Sequence, residues 1–168
     1  RSLPNLMSFA VNDTCNVHCK YCSFFDGVDD AKRSVLDLPQ AQKVIKDAQE
    51  LGVSVINFVG GEPLMRENFL EILSSVDKDL STPILFTNGW FLAEKAKALK
   101  KAGLDGVYVS IDSADAEKHD KNRGKKGLFV RAMDGLKKAK NSGMTVGISS
   151  CMTSEDFYAG EFDRLVEM

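Results

Sequence analysis

Five times along this chain a short apolar run rich in β-branched residues is followed by a stretch with helical spacing, and that alternation constrains the fold more than any other feature. The strand-like runs are Leu6 to Val11, Val53 to Val59, Ile84 to Thr87, Val107 to Ile111 and Thr145 to Ser149. The first helix opens at Asp37, with Gln40 three residues on and Pro39 in the first turn, and its apolar positions Ala41, Val44, Ile45, Ala48 and Leu51 run to a stop at Gly52. Phe69, Leu70, Leu73 and Val76 mark a second helix, and Leu92, Ala96, Leu99 and Ala102 a third, closed by Gly103. Phe129, Ala132, Leu136 and Ala139 form a fourth, closed by Gly143, and Tyr158, Phe162, Leu165 and Val166 begin a fifth. Continuous apolar strands separated by helices call for a parallel sheet, because right-handed crossovers lay the helices on a face. The pattern leaves two architectures open, a doubly wound open sheet and a partial or full (β/α) barrel. In both, the loops after the strand C-termini form the functional edge.

The distinctive residues fall on that edge. Asn12 to Phe25 follows the first strand and carries Cys15, Cys19 and Cys22 as C-x3-C-x2-C. Gly60-Gly61-Glu62-Pro63 follows the second strand, Thr87-Asn88-Gly89 the third, Ser110-Ile111-Asp112 the fourth and Ser149 to Thr153 the fifth. Three clustered thiols and a lone Cys151 make a poor disulfide framework. Tetrahedral zinc calls for a fourth Cys or His, commonly in two separated pairs. An iron-sulfur cube held by only three thiolates keeps one iron open to an outside ligand. Cys151 reads as a small buried residue near a strand end, and His18 and His119 as non-ligands, the latter in a polar loop. Asn12, Asp13 and Asn16 suit local capping of the cysteine loop.

At 168 residues and 43% hydrophobic, the chain has enough apolar material for the core of one domain. A net charge of -2, from 22 basic and 24 acidic residues, offers no extended basic footprint for nucleic acid. The run Lys118 to Lys126, with five Lys or Arg, reads as a solvated loop. No apolar stretch reaches about 18 residues and no signal-peptide pattern is present, so the sequence predicts no membrane span and a cytoplasmic protein. Because the chain starts at Arg1 and Met168 falls inside an amphipathic run, it reads as a piece of a longer protein.

Cys15-Asn16-Val17-His18-Cys19-Lys20-Tyr21-Cys22 and Gly60-Gly61-Glu62-Pro63 resemble, in order and position, the two leading motifs of the radical S-adenosylmethionine (SAM) enzyme superfamily. The resemblance spans nearly the whole chain. It implies a partial (β/α) barrel of parallel strands, with about five βα units present of an expected six, and residues 1–168 as a core domain cut at its C-terminal side. It also implies a [4Fe-4S] cluster on Cys15, Cys19 and Cys22, with SAM on the open iron, cleaved after electron transfer to a 5'-deoxyadenosyl radical that takes hydrogen from a substrate. By the same resemblance Gly60 and Gly61 offer backbone to the methionine moiety and Glu62 complements its ammonium. Thr87 and Asn88 lie near its carboxylate or the substrate. Ser110 and Asp112 lie near the ribose or carboxylate, Arg123 sits on the carboxylate, and Tyr21 packs near the adenine. The implied partners are an unidentified small-molecule or peptide substrate and a reducing donor such as flavodoxin or ferredoxin. Val107 to Gly143 resembles a branch that holds peptide-modifying, cofactor-maturation and molybdenum-cofactor cyclase enzymes. Two departures stand out: Val59 replaces a small polar residue, and the sixth unit is absent. The other reading is an iron-sulfur electron-transfer or scaffold module without SAM chemistry.

Overall fold

The computed structural model describes residues 4–23 and 34–168. Five parallel strands, β1 (Leu6–Ala10), β2 (Val55–Val59), β3 (Thr82–Thr87), β4 (Gly106–Ser110) and β5 (Thr145–Ser149), form one sheet in the order of the sequence. Between them run α1 (Leu38–Glu50), a 3-10 turn (Pro63–Met65), α2 (Phe69–Leu73), α3 (Leu92–Lys101), α4 (Ala116–Arg123) and α5 (Leu128–Asn141). The short helices α6 (Ser154–Tyr158) and α7 (Glu161–Val166) follow β5.

Sequential order decides between the two architectures. A doubly wound sheet reverses its strand order at a switch point, whereas right-handed crossovers that only step forward keep every helix on one face and curl the sheet. The wall is therefore that of a partial (β/α) barrel with five units. Burial divides the strands accordingly. Phe9, Ile56, Phe58, Leu85, Val107 and Val109 are buried in the core shared with the helices. The alternate positions, among them Ser8, Asn57, Phe86, Tyr108 and Ser149, are not fully buried and form the concave side. There Phe86 stacks on Tyr108 at 5.1 Å between ring centroids, and a Cβ at Gly147 would come within 2.6 Å of the Tyr108 ring.

The expected capping box of α1 is present, with Asp37 accepting from the Gln40 backbone at 2.8 Å and Gln40 answering at 3.0 Å. Elsewhere local structure departs from the pattern. The second helix is a single short segment that ends before Val76. The predicted fifth helix is two, because Gly160 takes a left-handed φ of 79° between Tyr158 and Glu161. The largest departure is at Lys118 to Lys126, where helix α4, capped by Asp115 and closed by Gly124, replaces the expected solvated loop. His119 and Arg123, one turn apart, are both buried. No helix among the described residues is long and apolar enough to cross a membrane.

Glu161 fastens α7 to the loop after β4. It is buried and accepts from Ser113 Oγ at 2.8 Å, Ala114 N at 2.9 Å, Arg164 at 3.0 Å and Lys118 at 3.1 Å. Burial alone would raise its pKa; bonds from Arg164, Ser113, Ala114 and Lys118 outweigh this and hold it at about 2. A depressed carboxylate stabilises the fold above its unfolded value of about 4.3 and loses that contribution as pH falls through the folded value. Thermal stability should thus drop between about pH 5 and pH 2. Glu161→Gln should flatten part of that drop in a melting series; identical slopes for the two proteins would contradict this role.

Candidate functional site

The cysteine loop and the Gly60–Pro63 loop are joined backbone to backbone. Gly61 N donates to Asn12 O at 3.2 Å, Glu62 N to Thr14 O at 2.7 Å, and the Asn12 amide reaches Glu62 O at 2.9 Å. This junction explains the two glycines. Gly60 has a φ of 138°, and a Cβ there would lie 2.5 Å from Asn12 O; one at Gly61 would lie 2.1 Å from Thr14 O. Both residues also line the cavity in front of the thiols, but their missing side chains are required first by the neighbouring loop. Gly61→Ala should force the loops apart. A loss of about 2 kcal/mol or more in chemical denaturation is expected, and a loss below about 0.5 kcal/mol would mean that the junction yields freely.

Glu62 is fully buried at the next position. Its carboxylate accepts from Thr87 Oγ1 at 2.7 Å, Asn88 N at 2.8 Å and Leu64 N at 3.1 Å. Burial pushes its pKa up, against the pull of those donors. The side chain thus ties the second loop to the third, and Glu62 is not among the residues lining the cavity. Asn88 carries the link onward, donating to Asn16 Oδ1 at 2.8 Å and lying 3.8 Å from Cys15 Sγ. The predicted local caps Asn12 and Asn16 therefore act as cross-links between loops.

Helix α4 closes the outer side of the cysteine loop. Lys20 N donates to Asn122 O at 3.0 Å, and Lys125 Nζ to Asn16 O at 3.2 Å. The left-handed Gly124 packs so closely that a Cβ would lie 2.6 Å from His18 O. Arg123 makes a two-pronged bond to Asp112, both contacts at 2.8 Å, and its third nitrogen lies 3.9 Å from Cys19 Sγ. Asp112 also accepts from the Tyr21 hydroxyl and from Cys151 N, while its own amide donates to His119 Nδ1 at 3.2 Å. Burial, reinforced by the bond to Asp112, pushes the Tyr21 pKa up, so the hydroxyl stays a donor. Burial also raises Cys15 and Cys19; for Cys19 the Arg123 charge opposes the rise.

These placements sort the predicted site residues. Cys15, Cys19, Cys22, Tyr21, Gly60, Gly61, Thr87, Asn88, Ser110 and Arg123 line one cavity of about 360 Å³ at the C-terminal edge of the sheet. Asp112 and Glu62 stand behind it and hold its walls. Two further expectations are corrected: His119 is buried in a helix with Nε2 unpartnered, and Cys151 is exposed because the chain leaves the sheet at β5. Trp90 escaped the sequence reading altogether. Its ring faces Lys125 at 4.1 Å and Arg131 at 4.5 Å, in the turn that follows Asn88.

The donor set suits a cluster better than a single ion. Among the described residues no group of three His, Cys, Asp or Glu side chains converges as a single-metal site. Three thiols lining a common cavity, two of them near N–H donors, are the donor set that three corners of an iron-sulfur cube would call for. A larger apolar groove of about 610 Å³ between α5, β5 and α7 contains none of the thiols.

Comparison with known proteins agrees with this geometry. Residues 10–165 match the model of the radical SAM superfamily. The GTP 3',8-cyclase of Peptoclostridium acidaminophilum is 34% identical over 145 residues, covering 84% of this chain and 44% of that protein. A probable GTP 3',8-cyclase of Methanosarcina acetivorans is 32% identical, covering 96% and 49%. This chain spans about half the length of such relatives. Among solved structures, SuiB of Streptococcus suis bound to its precursor peptide SuiA superposes with a TM-score of 0.82 at 18% identity, over 99% of this chain and 36% of that one. The enzyme anSMEcpe with bound AdoMet gives 0.75 at 22%, over 97% and 48%. These two likenesses establish the fold.

Proposed function

The chain belongs to the radical SAM superfamily, an enzyme family, and from that membership we propose that Cys15, Cys19 and Cys22 hold a [4Fe-4S] cluster whose open iron takes SAM. The observation that carries the reading is the gathering of all three thiols with Gly60, Gly61, Thr87, Asn88, Ser110 and Arg123 around one cavity. When bound, the pair supplies one-electron cleavage of the sulfonium to a 5'-deoxyadenosyl radical that abstracts hydrogen from a substrate.

The chain's own residues prepare that site. The glycine junction keeps the second loop against the first and leaves its backbone facing the cavity. Thr87 gives its hydroxyl proton to Glu62 and so holds the third loop in place, while Asn88, its backbone also held by Glu62, presents its side-chain amide beside Cys15 at the cavity wall. Ser110 supplies a hydroxyl at the end of β4, and Tyr21 covers one side with its ring. Arg123 is fixed by Asp112 and stays cationic beside Cys19, which favours the thiolate there and leaves one nitrogen edge for an anion. Relatives above 30% identity are named for GTP, whereas the SuiB structure, named for a peptide, shares only the fold. The identities thus weight the substrate toward the small-molecule class.

Anaerobic reconstitution with iron, sulfide, dithionite and SAM tests the reading. About four irons and four sulfides per chain are expected, together with 5'-deoxyadenosine and methionine. Cluster incorporation without either product would leave an electron-transfer or scaffold module and defeat the enzymatic reading.

A further inference from the structure

The outer side of the cysteine loop carries charge that the cavity does not use. Lys20 lies between Cys19 and Cys22, and its backbone is tied to Asn122 at the end of α4. Lys121, Lys125 and Lys126 follow on the same helix end and turn, with Arg131 one turn into α5. Lys118 and Arg123, from the same basic run, are consumed internally by Asp156, Glu161 and Asp112. Lys20, Lys121, Lys125 and Lys126 have no carboxylate partner among the ion pairs of the described residues. Of the neighbouring acids, Asp120 is turned inward, accepting from Gly127 N and Phe129 N. Glu94 is paired with Arg131. Glu117 on α4 is exposed and enters no ion pair of the described residues, so among those residues the unpaired lysines here outnumber the unpaired carboxylates, in a chain whose net charge is -2.

Two features give the surface a direction. None of these lysines lines the cavity, so they do not serve a ligand bound there. Two of them adjoin the thiol-bearing residues instead: Lys20 is bonded directly to Cys19 in the chain, and Lys125 holds the carbonyl of Asn16, next to Cys15. Electron transfer weakens steeply with distance, so a donor gains most by docking where the cluster ligands approach the surface. A positive patch at that point steers a negatively charged partner and orients it.

We propose that Lys20, Lys121, Lys125 and Lys126 form the docking face for an acidic one-electron carrier protein that reduces the centre from the outer side of the cysteine loop. The proposal rests on the cluster assignment above. One electron leaves the reduced carrier, which is oxidised, and enters the cluster, which is reduced; no bond forms or breaks. Entry from this side leaves the cavity free for SAM and substrate.

The test uses the double variant Lys121→Glu/Lys126→Glu, whose side chains make no hydrogen bond or ion pair with the described part of the cysteine loop, and reduced flavodoxin as the probe. Docking is read first, by fluorescence anisotropy of labelled flavodoxin titrated with the whole chain, a measurement that needs no cluster. Affinity for the parent chain should fall at least about tenfold as salt rises from about 0.05 to about 0.5 M, and the variant should bind at least about tenfold more weakly at low salt. Stopped-flow bleaching of the reconstituted cluster should then show a flavodoxin-driven rate slowed by a similar factor, with the dithionite-driven rate unchanged. Equal docking by parent and variant, salt-independent docking, or tighter binding of a short DNA duplex than of flavodoxin would each overturn the proposal. Failure to take up iron would defeat the cluster reading alone, because the docking measurement stands without it.

Discussion

Cys19→Ala is expected to leave a folded protein that takes up almost no iron or sulfide and produces neither 5'-deoxyadenosine nor methionine. The fold should survive because Cys19 is only partly buried and its thiol makes a single weak contact, to Arg123 at 3.9 Å. The metal centre should not, because two thiolates cannot hold three corners of a cube. Iron content should fall from about four per chain to below about one, and SAM cleavage by at least about a thousandfold. Cys15→Ala and Cys22→Ala should behave alike. Cys151→Ala is the control: that thiol is exposed and only its backbone joins the network, so iron content should be unchanged. A Cys19→Ala protein that still cleaves SAM would overturn the ligand assignment.

Asp112→Ala carries the second large effect, this time on stability. Its carboxylate receives both prongs of Arg123, the Tyr21 hydroxyl and the Cys151 amide, and the Asp112 and Arg123 side chains are only 1% and 9% exposed. Truncation strands a buried guanidinium, which costs about 3–5 kcal/mol in comparable pairs. Most of that is the penalty of the orphaned charge. Removing both partners, as Asp112→Leu/Arg123→Leu, should therefore recover a good part of the loss. Urea denaturation of the two variants decides the matter. A single-variant loss below about 1 kcal/mol, or a double variant less stable than the single, would show that the pair does not support the loop edge.

How much of this was legible in the sequence depends on what kind of force acts at each place. The strands and the helices α1, α3 and α5 were readable because burial of an apolar face imposes a period, and Asp37 with Gln40 marked a start. Helix α4 was not, since its buried residues are His119 and Arg123; the face that packs inward is polar, and no apolar period exists to find. Its remaining signals were Asp115 before the first turn and Gly124 after the last, a cap at each end. The three thiols were legible by spacing alone. The reason for Gly60 and Gly61 was not, because their neighbours are backbone atoms of Asn12 and Thr14 about fifty positions away, and backbone leaves no trace in residue identity. Glu62 and Asp112 were found as members of the site, but their positions behind its wall could only come from the hydrogen-bond partners they hold. Trp90 had no motif to announce it.

The strand order has a consequence for the timing of assembly. Each strand pairs with the one made before it, so the sheet can grow in the direction of synthesis, one unit at a time. The thiol loop belongs to the first unit and gains its second-loop neighbour as soon as residues 60–62 are in place. Its outer wall arrives much later: Cys19 meets Arg123 across 104 positions of chain. Until α4 is laid down, the three thiols stand at the growing edge with one side bare, open to oxygen and to stray metal. Cluster loading is thus best suited to a chain already complete through Gly124, because only then does Cys19 gain Arg123 as its neighbour and the loop its outer wall.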